Sequence, residues 1–167
     1  MYRHLPAAVL AIYLVWPLAV RGQDSQPIVA PGTALPAPLA GLVDDALKRF
    51  TLGPEADEAD EERELRRVER TVLEVLSTEG YFEPTLRFDP VSAPQAGAHR
   101  YRLIVELGRR TTVGTLDLKF KGALSEPRFQ ERAAALRAEW PLPVGAPFRS
   151  PQWESAKTQL LASVQAR

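Results

Sequence analysis

From Leu39 the apolar positions fall at Leu39, Leu42, Val43, Ala46, Leu47 and Phe50, the three-and-four spacing that lines one face of an α-helix. Thr51-Leu52-Gly53-Pro54 ends the pattern, since Gly closes helices cheaply and Pro disfavours helical geometry in the residue before it. An acidic run, Glu55 to Glu64, leads into a second helical stripe at Leu65, Val68, Val72, Val75 and Leu76, which stops at Gly80. Glu61, Glu62 and Glu64 then oppose the positive end of the helix dipole, a structural reason for the acidic run. A calcium loop would need EF-hand spacing and a central Gly, which the run lacks.

After Gly80 the period changes from 3.6 to 2. Phe82, Pro84, Leu86 and Phe88 alternate with Glu83, Thr85 and Arg87, and Tyr101, Leu103, Val105 and Leu107 alternate with Arg102, Ile104 and Glu106. These are two half-buried strands joined by the turn-rich stretch Pro90 to Arg100. Pro84 cannot donate to a ladder, so its strand belongs at a sheet edge, and the Tyr101 strand is free to sit centrally. Ahead of the first helix, a proline-rich leader carries one β-branched pair, Ile28-Val29, enough for one short strand.

The order then restarts. Leu116, Leu118 and Phe120 alternate with Asp117, Lys119 and Lys121, predicting a further strand closed by Gly122. A helix follows from Glu126 to Trp140, with Phe129, Ala133, Leu136 and Trp140 on one side. Pro141 to Gly145 breaks it, and Ser150-Pro151 reads as N-cap and first helical residue ahead of Trp153, Ala156, Leu160 and Val164. Residues 27–110 thus read as strand, helix, helix, strand, strand, and residues 111–167 as strand, helix, helix. The second unit is expected to lack its last two strands, leaving Phe129, Leu136, Trp140, Trp153 and Leu160 poorly covered.

The extreme N-terminus reads as an address. Residues 1–22 have a charged start, an apolar run from Leu5 to Val20 and Val20-Arg21-Gly22 before polar Gln23, the layout of a cleaved export signal. The run holds Pro6 and Pro17 and is short for a membrane span; an uncleaved anchor is the alternative. The whole chain has 21 basic and 21 acidic residues; without Arg3 and Arg21 the balance is 19 against 21, so no strongly basic nucleic-acid binder is expected. There is no Cys, and the two His are His4 and His99, which excludes thiol nucleophiles, disulfides and sites built from several Cys or His. No phosphate-binding loop, nucleophile elbow or paired catalytic carboxylates stand out. The chain is therefore expected to be no enzyme and to need no cofactor or metal. His99 is expected in solvent, and Arg100, Arg102, Arg109 and Arg110 on a solvated face with the acidic helix as a counterpart.

Three segments carry a resemblance. Val75-Leu76-Ser77-Thr78-Glu79-Gly80-Tyr81-Phe82-Glu83-Pro84-Thr85, the passage from Tyr101–Leu107 to Thr111-Thr112-Val113-Gly114-Thr115-Leu116, and Leu142-Pro143-Val144-Gly145-Ala146-Pro147-Phe148 together resemble the polypeptide-transport-associated (POTRA) domains that precede outer-membrane β-barrels of the Omp85 superfamily. Within it, Pro38-Leu39 and the Gly-Tyr-Phe-Glu-Pro-Thr segment are most similar to the barrel subunit family of the autotransporter translocation and assembly module. The resemblance implies an α+β fold of tandem β-α-α-β-β units, each with two helices on a small three-stranded mixed sheet: a first unit at 27–110 and an incomplete second at 111–167. It implies a place on the periplasmic side of the bacterial outer membrane, with the membrane reached through a barrel that this sequence does not contain. It further implies protein partners, namely client polypeptides and an inner-membrane-anchored assembly partner.

Such partners would bind by adding a strand to an open sheet edge. The candidate edge is the strand carrying Glu83, Thr85, Leu86, Arg87 and Phe88, with the backbone of 85–88 supplying the hydrogen bonds, including the N–H groups of Thr85 and Arg87. Gly80 and Tyr81 are the structural turn that feeds it, and Glu79 is expected to matter little. The other function class left open is a small exported enzyme or ligand-binding protein with a cleft between the two units.

Overall fold

The computed structural model describes residues 27–53, 55–92 and 99–166. The segment read as an export signal, Pro54 and the middle of the Pro90–Arg100 loop lie outside the described residues. The chain forms a small α+β fold in which helices cover an open, mixed three-stranded sheet. The elements are β1 (Val29–Pro31), α1 (Leu39–Leu47), α2 (Glu58–Thr78), β2 (Thr85–Pro90), β3 (Tyr101–Glu106), α3 (Gln130–Ala138) and α4 (Ser150–Gln165). Up to β3 this is the expected β-α-α-β-β order.

The sheet order is β1-β3-β2, with β3 in the centre, parallel to β1 and antiparallel to β2. Leu103 and Val105 of β3 face the helices and pack on Val43 and Leu47 of α1, Val68, Val72 and Leu76 of α2, and Ile28 and Val29. All are buried, so the helical stripes and the alternate strand positions meet in one core. Leu42, counted in the α1 stripe, is exposed instead: α1 has only nine residues, and its stripe is narrow enough for Leu39, Val43, Ala46 and Leu47 to fill. The helix also ends at Leu47, ahead of Gly53, because the chain turns there to bring Phe50 into the core and Thr51 beside Pro27.

α2 begins further back in the acidic run than Glu61. Asp57 is its N-cap, accepting from the N–H of Asp60 at 2.8 Å while the Asp60 carboxylate accepts from the N–H of Asp57 at 3.2 Å. This reciprocal box satisfies two of the orphan donors of a helix start and puts Glu58, Asp60 and Glu61 in the first turn. At the other end the Tyr81 N–H reaches the Leu76 carbonyl and the Gly80 N–H the Ser77 carbonyl, at 3.0 and 3.1 Å. That paired pattern needs a left-handed residue after the last turn, and Gly80 supplies φ +90°.

Five sequence expectations change here. β2 starts at Thr85, so Pro84 lies before it and Phe82 does not join the core alternation; it is 54% exposed. Leu116–Lys121 is not a strand, because among the described residues no second strand lies beside it to form a ladder, although burial still alternates as the sequence alternates. The helix expected from Glu126 starts at Gln130, preceded by single turns at Gly122–Ser125 and Pro127–Phe129. α4 is capped by Arg149 with Ser150 already helical, so Ser150 is not its N-cap. Leu136 and Trp140 are buried rather than poorly covered, since α4 lays Ala156 against them and Trp153 meets Trp140 edge to face at 5.4 Å. Phe129, Trp153 and Leu160 are half-buried.

Candidate functional site: the outer edge of β2

β1 and β2 bound the sheet, but they are unequal as docking edges. β1 has three residues, ends in Pro31, and is flanked by the Pro27–Thr51 bridge. β2 has six residues and no strand on its outer side among the described residues. Its register on β3 pairs Thr85 with Glu106, Arg87 with Ile104 and Asp89 with Arg102.

Which main-chain groups are free follows from β3. Tyr101 donates to Ile28 at 3.2 Å, Leu103 accepts from Gly32 at 2.9 Å, and Val105 donates to the Thr33 hydroxyl at 3.0 Å. Tyr101, Leu103 and Val105 therefore turn their polar main-chain groups towards β1, and Arg102, Ile104 and Glu106 towards β2. Opposite these last three stand Asp89, Arg87 and Thr85, whose N–H and C=O groups are thus spent inside the sheet. The groups that look outward belong to Leu86, Phe88 and Pro90. This corrects the expectation for Thr85 and Arg87: their side chains stand exposed on the solvent face, but their N–H groups point inward.

The free edge is short by construction. Pro90 has no N–H, and Pro84 stands just before the strand with the same parity, so the two outward donors, Leu86 and Phe88, are bracketed by prolines. An edge of this kind accepts a brief added strand and resists longer, indiscriminate pairing. The side chains of Leu86 and Phe88 point the other way, half-buried against the core. Glu83 and Thr85 are exposed, and the Arg87 guanidinium pairs with Asp89 at 2.5 Å, so this face carries mixed charge.

The turn residues Gly80 and Tyr81 are brought elsewhere, to a junction with the later part of the chain. The Thr111 N–H donates to the Gly80 carbonyl at 2.8 Å, the Phe148 N–H donates to the Thr111 carbonyl at 2.9 Å, and a Cβ built on Gly80 would lie 2.5 Å from the Phe148 carbonyl oxygen. Beside them Glu79 is 5% exposed, the buried charged residue among the described ones, and Arg149 holds its carboxylate with both arms of the guanidinium at 2.7 and 2.9 Å. Arg110 adds a bond to the Glu79 carbonyl at 3.0 Å and lies 3.7 Å from its carboxylate. The hydrogen bonds and charge of Glu79 hold the Arg149 guanidinium pKa above its ordinary value. Phe82, Phe148, Trp153 and Trp140 continue from here as a ladder of rings 5.4 to 6.2 Å apart. Glu79 and its ring of partners carry no local sequence signal: Arg149 lies seventy positions away.

A second ionic cluster ties α2 to the sheet. Glu61 takes the Tyr101 hydroxyl and, at 2.6 Å, the Arg100 guanidinium. The Tyr101 bond, and then Arg100, lowers the Glu61 pKa against the opposing effect of burial, while Glu61 and burial raise that of Tyr101. Arg100 thus meets the acidic helix as the sequence suggested. His99 does not stand free: it is half-buried, with Nδ1 2.6 Å from the Pro27 carbonyl oxygen. Among the described residues no group of three His, Asp or Glu is placed to hold a metal ion, and no helix is long and apolar enough to cross a membrane. No protein-family model matches the chain, and no curated protein matches it in sequence.

Proposed function

We propose that this chain is the periplasmic POTRA region of an Omp85-superfamily outer-membrane protein, most like the autotransporter-assembly subunit TamA, and that it binds extended polypeptide on the outer edge of β2. In this reading residues 1–22 direct export, residues 27–110 are the first unit, and residues 111–167 begin a second. The role is non-enzymatic: the chain holds client polypeptides or an assembly partner by strand addition near the membrane. The observation that carries the reading is the free main-chain edge of Leu86 and Phe88 beside a central β3 in a β-α-α-β-β arrangement. The Gly80-Tyr81 exit from α2 supports it further.

The test removes one outward donor while keeping its side chain. Replacing the Leu86 amide by an ester should weaken capture of a ten-residue peptide of alternating apolar and polar residues roughly five-fold, about 1 kcal/mol, and lower the unfolding midpoint only slightly, through the weaker Thr85 carbonyl. The same exchange at Arg87, whose N–H faces β3, should lower the midpoint more, since it removes a donor from the sheet. Unchanged peptide capture by the Leu86 ester refutes strand addition at this edge.

A further inference from the structure

Charge along the first half of α2 is ordered so that an acid stands one turn ahead of its base: Asp60 holds Arg63, Glu62 holds Arg66 and Glu64 holds Arg67. An acid ahead of a base on a helix is the favourable order, because it agrees with the helix dipole. Arg70 breaks the series. The residues three and four positions before it are Arg67 and Arg66, both cations already paired, and among the described residues Arg70 has no ion pair. Arg49, in the turn that leaves α1, has none either, whereas its neighbour Lys48 is held by Asp44 and Asp45 at 2.7 and 3.0 Å. The two unpaired arginines come together at an open hollow of about 340 Å³ between that turn and α2, lined by Arg49, Phe50, Arg67, Arg70, Thr71 and Glu74.

The walls of this hollow are fixed by the fold. The N–H groups of Arg49 and Phe50 donate to the Ala46 and Leu47 carbonyls at 3.3 and 3.1 Å, and the Phe50 carbonyl accepts from the Ile28 N–H at 2.8 Å. Phe50 is buried, and the Arg67 guanidinium lies over its ring at 5.9 Å while Glu64 holds it at 2.9 Å. Ser77 and Thr78 bond their hydroxyls to carbonyls one turn back; the Thr71 hydroxyl makes no such bond among the described residues. We propose that the hollow is a binding site for a phosphate group. The donor set selects that chemistry: one guanidinium fork satisfies the two oxygens of a carboxylate, whereas guanidinium groups arriving from two elements, with a hydroxyl beside them, suit an anion whose oxygens point in several directions. Charge agrees, since Glu64 neutralises Arg67 and leaves Arg49 and Arg70 to a phosphate monoester or free phosphate of about two negative charges. Glu74, exposed, is the carboxylate on the rim; it follows Arg70 by four positions, the less favourable order, and competes only weakly for it. Free phosphate and the headgroup of a lipid share this chemistry. The site lies wholly on the α1–α2 side of residues 27–110 and shares no residue with the β2 edge, so it stands or falls apart from peptide binding there.

Two binding measurements on the full chain at low ionic strength test this and separate the sources. One is calorimetric titration with inorganic phosphate; the other is co-sedimentation with phosphatidylcholine vesicles containing phosphatidic acid, read as the excess over phosphatidylcholine alone. Binding in at least one arm is expected, weakened roughly five-fold or more by Arg49→Gln and by Arg70→Gln. Glu74→Gln, which removes the competing carboxylate, should tighten it about two-fold. Arg66→Gln takes the same charge from the same helix but lies outside the hollow, so its affinity should stay within about two-fold of the wild type. Arg49, Arg66, Arg70 and Glu74 are all exposed, so the unfolding midpoints of the four variants should match and any loss of binding is not a loss of fold. Saturation by inorganic phosphate assigns the site to the free anion, and binding confined to the phosphatidic acid vesicles assigns it to a lipid headgroup. No binding in either arm, or a loss from Arg66→Gln equal to that from Arg70→Gln, overturns the proposal and leaves these arginines as a solvated face.

Discussion

Gly80→Ala isolates the contact between the end of α2 and Phe148. Two effects add at this position. An L-residue forced to φ +90° costs about 1–2 kcal/mol from its own Cβ against the main chain. The new Cβ would also lie 2.5 Å from the Phe148 carbonyl oxygen, which is main chain rather than a movable side-chain tip. Phe148 is in turn fixed through its N–H to Thr111, and Thr111 through its N–H to Gly80, so one displacement loosens three residues. Overpacking of this kind costs about 1–3 kcal/mol. Gly145 provides the internal control: it has φ +88°, yet a Cβ there meets nothing within 4 Å. Gly145→Ala should therefore lose only the backbone part, and Gly80→Ala at least about 1 kcal/mol more. In urea, followed by the fluorescence of Trp140 and Trp153 beside Phe148, that difference separates the midpoints by roughly 0.3–1 M at a slope of about 1–3 kcal/mol per M. Equal midpoints for the two variants would show that Phe148 yields freely and that no packed junction exists.

Glu79→Ala, which the sequence marks as harmless, should instead destabilise by about 1.5–3 kcal/mol in the same assay, because charge-assisted bonds to a buried carboxylate are lost. Arg149→Ala should destabilise more than Glu79→Ala, since it strands the buried carboxylate, and the double variant should resemble Glu79→Ala; a milder Arg149→Ala contradicts this ranking. The Glu61 pKa lies below its ordinary value of 4.5, so its contribution is complete above that pH and fades as pH falls through the lowered value. The stability gap between wild type and Glu61→Gln should accordingly be flat from neutral pH down to about 4.5 and shrink below it, and Tyr101→Phe should move the Glu61 titration, read by NMR, back upward.

Periodicity made the first half of the chain readable because each pattern there has its complement within reach. The 3.6-residue stripes of α1 and α2 and the two-residue alternation of β2 and β3 all close on one core, and Pro84 and the defect-free Tyr101 strand settled edge and centre. Alternation fails where a strand pattern has no ladder, as at Leu116–Phe120, because hydrogen bonding is a property of two segments and the pattern is a property of one. It fails at Phe82 for another reason: the residue follows the α2 exit, and its ring is claimed by Phe148, 66 positions later. The role of Glu79 is not legible in the sequence, because an acidic residue at a helix end is solvated by default, and only the fold brings Arg149 and Arg110 to it. The candidate edge was legible as a strand, but the direction of its N–H groups was not, since that parity depends on register rather than composition.

The parallel pairing of β1 with β3 has a consequence for the order of assembly. Val29 meets Tyr101, about seventy residues further along, whereas β2 and β3 are joined by a short connection and α1 follows β1 directly. Closing a loop of that length carries a chain-entropy cost that includes about 4 kcal/mol beyond a constant, and three strand residues cannot offset it alone. β1 is therefore the last strand to be seated, added once α1, α2 and the hairpin have built a surface for Ile28 and Val29 to enter. In a chain that emerges from its N-terminus, these two residues are made before the rest of the core and satisfied last. Throughout that interval the β1 side of β3 is as open as the outer edge of β2, so the nascent domain offers a vacant central strand that the finished one closes with β1.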